Sequence, residues 1–143
     1  MADRAAQKVI TPYQEKAVAA TLMTKLPTAG KIVDEKINKE LGFTELVLSN
    51  RVKVLVKPTD FKNDQVVMSA TRFGGQYLFD AKDRASAEYA STVIAQMGVG
   101  DFSPVDLRKV LAGKTASVAP RISTLNETIT GQSSATDVET LLQ

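Results

Sequence analysis

Histidine and cysteine are both absent from this 143-residue chain. Without thiols there are no disulfides and no thiolate metal sites. Without imidazole the usual general base and the usual pH switch are missing. No apolar run is long enough to span a bilayer, and the first residues lack the apolar stretch of a signal peptide. Nor is there an excess of one charge. Eighteen basic and 16 acidic residues leave a net +2, too little to imply nucleic acid or an anionic membrane as a partner. Hydrophobic residues make up 43% and charged residues 24%, the balance of an ordinary globular domain with a real core.

Local signals divide the chain. Thr11, Pro12 and Gln14 form a capping pattern that opens a helix running to about Lys25, with Val18, Leu22 and Met23 apolar. Pro27 and Gly30 break it. Segment 31–42 is polar and poorly periodic, and reads as an extended connector with one helical turn. Leu46 and Leu48, then Val52, Val54 and Val56, alternate with their neighbours as in a hairpin. Asn50-Arg51 is the two-residue turn, and Pro58 ends the second strand. Segment 65–72 predicts a third strand stopped by Gly74-Gly75. Ala87, Ala90, Val93, Ile94 and Met97 recur at helical spacing and predict a helix with one buried face, ended by Gly98. Ser103 and Pro104 start another helix, with Asp106 at its positive end, Leu107, Val110 and Leu111 inside, and Gly113 closing it. Two strands follow over 115–124 and 127–132. Ser134 to Asp137 caps a last helix with Val138, Leu141 and Leu142 on one side. That helix stops at Gln143 on an apolar stretch, which predicts that the natural sequence continues and that this is an excised piece.

Several ordered segments carry a family resemblance. They are ELVLSNRVKVLVKP over 45–58, VVMSATRFGG over 66–75, ASAEYASTVIAQMGVG over 85–100 and GDFSPVDLRKVLAG over 100–113. Pro27-Thr28-Ala29-Gly30-Lys31-Ile32-Val33 precedes them. Together they resemble the second, non-catalytic half of bacterial pitrilysin/insulinase-type zinc metallopeptidases. The resemblance implies an α+β fold, with an antiparallel sheet and helices packed on one face, as in the mitochondrial-processing-peptidase-like metallohydrolases. Only the first part of one half is present. Residues 1–42 would be the helical or extended linker between the halves, and 43–143 the N-terminal part of an inactive peptidase-like domain. Family members close two related halves around peptide substrates. One half holds zinc through H-x-x-E-H, on the helix that corresponds to 85–97 here. The second half's arginine and tyrosine that touch substrate lie beyond Gln143, so no substrate-binding residue is assigned. The family turn usually has glycine where this chain has Arg51.

No catalytic and no metal-binding residue is assigned either. Glu88 is the one ionisable group inside the helix where the metal motif would fall, with Asp83 and Arg84 at its start. A lone carboxylate on solvated helix surface accounts for it better than a site needing three protein ligands. Tyr89 reads as a packing residue rather than a peptide contact. Gly74-Gly75 and Gly98-x-Gly100 match no phosphate-loop pattern. Arg51, Lys53, Lys57 and Lys62 read as a solvated strand face. Ser103, Ser134 and Asp137 are explained by capping.

The expectation is therefore a segment that is not an enzyme by itself. It helps form a peptide chamber and packs on the catalytic half of the same polypeptide, where zinc is expected. Its partners would be that half and peptide, with neither nucleic acid nor membrane, and the fragment could pair with itself. The alternative is a free-standing peptide-binding or assembly module. By family analogy, a bacterial parent with an export signal would work in the cell envelope or periplasm.

Overall fold

A computed structural model describes Gln14, Ala19 and residues 21–143. Most of the helix expected over 11–25 lies outside those residues. Its described end, 21–25, consists of bends and not helix.

The first sheet is β1 (Ile32–Asn38), β2 (Phe43–Leu48) and β3 (Lys53–Val56), in that order and antiparallel throughout. The connector expected over 31–42 is extended, as read, but most of it is a paired strand. Its polar residues conceal the β-branched Ile32, Val33 and Ile37. Pairing to β2 fixes it: the Ser49 amide donates to the Lys31 carbonyl at 2.7 Å, and the register shifts once between Ile32 and Asp34.

The β2–β3 turn is not the two-residue type. The Arg51 amide donates to the Leu48 carbonyl at 2.8 Å, and the Leu48 amide to the Val52 carbonyl at 2.9 Å. Ser49, Asn50 and Arg51 thus form a three-residue loop, closed by one left-handed residue. That residue is Arg51, at φ 69°, the only described non-glycine with positive φ. A side chain costs energy there and glycine does not. Arg51→Gly should therefore stabilise the chain by about 1 kcal/mol, read as a higher urea midpoint at unchanged slope. A lower midpoint would mean that Arg51 makes a contact worth more than its strain.

The second sheet has the order β4–β6–β5, from β4 (Val66–Phe73), β5 (Ala116–Ile122) and β6 (Asn126–Ser133), again antiparallel. A 3-10 turn (Gly75–Leu78) follows β4 where the glycine pair was expected to stop it. Helix α1 (Arg84–Gln96) packs on β5, and the Ser91 hydroxyl accepts the Ile122 amide at 2.8 Å. Helix α2 (Pro104–Val110) begins as the sequence predicts, with the Ser103 side chain accepting the Asp106 amide at 3.2 Å. Helix α3 (Val138–Leu142) is short and rests on β5 and β6. Its N-cap is Asp137, whose side chain makes no capping bond; just before it the Ser134 hydroxyl accepts the Asp137 amide at 3.2 Å, the contact that Ser103 makes to Asp106.

The expected core is largely missing. Among the described residues the buried hydrophobics are Ala87 and Leu141, and no large side chain is fully enclosed. Leu141 lies against Gly131, where an added Cβ would come within 2.7 Å of its Cδ1. Of the apolar positions expected on this helix, Ala87 is buried and Ala90 half-buried, whereas Val93, Ile94 and the C-cap Met97 are exposed. The helical period is as read, but the surface those residues would meet is not in the described chain.

Candidate functional surface

The helix that would carry the metal motif offers no metal site. Glu88 is exposed on α1, and the Asp83 side chain makes no capping bond. Among the described residues no group of three potential ligands is close enough to hold a metal ion. A donor set without imidazole or thiolate, and with carboxylates this dispersed, does not fit zinc. Tyr89 is 66% exposed and so is not the packing residue the sequence suggests.

The polar residues singled out in the sequence serve the fold. Ser103 donates to Asp106 Oδ2 at 2.7 Å. Ser134 donates to Asp137 Oδ2 at 2.7 Å, and the same oxygen accepts the Thr115 amide at 2.9 Å. Asp137 therefore ties the start of β5 to the start of α3. In the basic group, Lys53 pairs with Glu45 at 3.5 Å across β2 and β3. The sequence reading missed the ion pair between Arg72 Nε and Glu127 Oε2, 2.6 Å apart on the paired strands β4 and β6. These two residues are 55 positions apart, and only the register brings them together.

Both carboxylates titrate below their ordinary range. The hydrogen bond from Arg72 holds Glu127 down, and the Ser134 hydroxyl, then the Thr115 amide, hold Asp137 down. A depressed carboxylate stabilises the fold above its unfolded pKa, and that contribution disappears as pH falls through the folded value. Unfolding midpoints should therefore hold steady from neutrality to about pH 4.5 with respect to these two groups, then drop below about pH 4. The double variant Glu127→Gln, Asp137→Asn should be less stable at pH 7 and lose less on acidification. An unchanged acid slope in that variant would show that neither bond drives the drop.

What remains is uncovered surface. On one face of the first sheet the register aligns Ile37, Thr44 and Val56, then Glu35, Leu46 and Val54, then Ile32, Leu48 and Val52. Apart from Thr44 and Glu35 this face is aliphatic, and Ile32 and Ile37 are 56% and 67% exposed. Tyr89 and Val93 on α1 and Met97 at its C-cap lie at helical spacing and are all exposed. An apolar face of this kind marks a contact surface. By contrast, the face of the second sheet that carries Ser69, Thr71, Ser117, Thr128, Thr130 and Gln132 is rich in hydroxyls and amides, with Arg121 beside Thr128 and the apolar Val67, Phe73 and Ala119 on the same face. Among the described residues no helix is long and apolar enough to cross a membrane.

No protein-family model matches the chain. A zinc protease PQQL-like protein of Arabidopsis thaliana is 33% identical over 106 residues, which is 74% of this chain and 11% of that protein. Among solved structures, the periplasmic protease PqqL from Escherichia coli matches 96% of the chain, with a TM-score of 0.76 and 18% identity, over 15% of its own length. The ferredoxin protease FusC, solved as a mutant in complex with Arabidopsis ferredoxin, matches 97% of the chain, with a TM-score of 0.75 and 20% identity, over 16% of its length. These matches bear out the resemblance: the chain is a partial piece related to pitrilysin-type zinc proteases, with their α+β architecture. It spans about a tenth of the curated relative.

Proposed function

We propose that the chain is a non-catalytic segment of a zinc protease, one that helps wall the peptide chamber and packs against the catalytic half of the same polypeptide. The observation that carries this reading is the aliphatic face of the first sheet, which has no cover within the described residues while the chain matches only a small part of its relatives. Such a face is stable when the rest of a larger protein lies over it. The chain has neither histidine nor cysteine, so zinc and hydrolysis belong to the H-x-x-E-H half. The periplasmic PqqL makes the periplasm the proposed compartment.

The test is association. The chain, mixed with a separately produced remainder of its parent, should sediment as a complex. Ile37→Lys, at an exposed site on the aliphatic face, should weaken that complex while leaving the chain's own melting intact. Absence of a complex, or a complex indifferent to this change, would refute the reading. Alone, the chain should self-associate at micromolar concentrations through the same face. Adding the remainder should dissolve those dimers.

A further inference from the structure

Residues 31–56 and residues 64–143 are each held by bonds of their own. In the first set, β1, β2 and β3 form one sheet. Ser49 ties back to Lys31 twice: its amide donates to the Lys31 carbonyl at 2.7 Å, and its hydroxyl accepts the Lys31 amide at 3.2 Å. In the second set, α1 packs on β5, and α3 on β5 and β6. Asp64 Oδ1 accepts the Ala135 amide at 3.2 Å, and Gln65 donates to Gln132 at 3.2 Å, so this set begins at residue 64. Segment 57–63 joins the two. It is exposed throughout, with Phe61 at 91%.

The two sets differ in what they bury. Gly75, Ala87, Gly131, Ser133 and Leu141 are the buried residues of the described chain, and all belong to the second set. In the first set β2 is half-buried along its length, and β1 is exposed except at Asn38. A small sheet becomes stable by covering an apolar face, because burial is the main favourable term in folding. With that face open, main-chain pairing stands almost alone against the entropy of the strands. Regions with few buried apolar contacts open at free energies below that of global unfolding. β1 to β3 are such a region, and the bonds within 64–143 stay intact when they open.

We infer that the first sheet is a separate cooperative unit, which opens by itself in the free chain and is fixed by assembly. The occupant of its aliphatic face is the remainder of the parent polypeptide. Size argues for that choice: the chain covers 11% of the curated relative and 15% and 16% of the two solved proteases. The proposed parent therefore holds far more surface than this chain to lay over the face. Docking and ordering then happen in one step. The interface is weaker than its area suggests, because part of the contact energy orders the strands. Fixing by assembly rests on the proposed function; opening in the free chain does not.

The test is residue-resolved amide exchange on the whole chain, at a concentration where it sediments as a monomer. Bonded and non-bonded pairs alternate along an antiparallel ladder. Counting from the Leu48–Val52 and Gly74–Leu125 bonds, Leu46 and Val54 are bonded partners in the first sheet, and Ala70 and Ile129 in the second. Leu46 and Val54 should be at least about tenfold less protected than Ala70 and Ile129. Arg51→Gly should slow exchange at Leu46 and Val54 by about fivefold, the size of the left-handed penalty, and leave Ala70 and Ile129 unchanged. Gly113→Ala should do the converse, speeding Ala70 and Ile129 alone. Adding the separately produced remainder of the parent should raise Leu46 and Val54 to the protection of the second sheet. Equal protection at all four amides in the free monomer, or variants that move all four together, would overturn the independent opening. A complex in which Leu46 and Val54 exchange as fast as before would overturn the fixing by assembly. If the free chain behaves as expected and no complex forms, the proposed function falls and the independent opening stands.

Discussion

Gly75→Ala should destabilise the chain by about 2–4 kcal/mol. Gly75 sits at φ +71°, and a Cβ there would be 2.2 Å from the Ser123 carbonyl oxygen and 2.8 Å from the Asn126 amide nitrogen. The left-handed backbone alone costs an alanine about 1–2 kcal/mol. The remainder comes from pushing away the turn between β5 and β6. That turn is held to the end of β4 by main-chain bonds: Gly74 to Leu125 at 2.8 Å, Gln76 to Ser123 at 2.9 Å and Tyr77 to Thr124 at 3.0 Å. Gly113 supplies the control. It has φ +81° and no atom within 4 Å of an added Cβ, so Gly113→Ala should show the backbone penalty without the clash. Urea melts of both variants separate the two effects. Equal losses would mean that the turn yields freely and that Gly75 is not a lock.

That lock shows which parts of the fold are legible in sequence. Gly74-Gly75 announces the end of β4, and Ser103-Pro104 announces α2, because each is decided by local chemistry: a permissive backbone in one case, a capping oxygen and a preset φ in the other. β1 is obscured because the charged run Asp34 to Lys36 interrupts its β-branched residues, and only pairing to β2 decides its state. Arg51 hides the turn type, since two and three central residues look alike until the Leu48–Val52 bond fixes the loop. The exposure of Val93, Ile94 and Met97 is invisible for another reason. Their spacing says that a face exists to be covered, but what covers it is not written in these residues. The Arg72–Glu127 pair depends on a register between strands far apart in sequence, which no local pattern encodes.

The other large effect concerns activity. The isolated chain should show no tight zinc binding and no peptide turnover. A catalytic zinc site takes three protein ligands and leaves one position for water, whose pKa the metal lowers to about 7 while a nearby carboxylate takes the proton. Here no histidine or cysteine can supply a ligand. Glu88 stands exposed on α1, and no group of three acidic ligands gathers among the described residues. Carboxylates alone favour calcium or magnesium over zinc. Metal-free hydrolysis is not expected at the two capping serines: Ser103 and Ser134 are engaged with Asp106 and Asp137, and no imidazole is present to activate either hydroxyl.

Zinc calorimetry coupled to a peptide-cleavage assay, run on the isolated chain beside the proposed full-length zinc protease, bears most directly on the proposal that this segment serves a larger protein without sharing its chemistry. The expected result is zinc uptake and chelator-sensitive turnover from the full protein, and neither from the chain. Sub-micromolar zinc affinity in the isolated chain, or turnover that follows the chain through repurification, would contradict it.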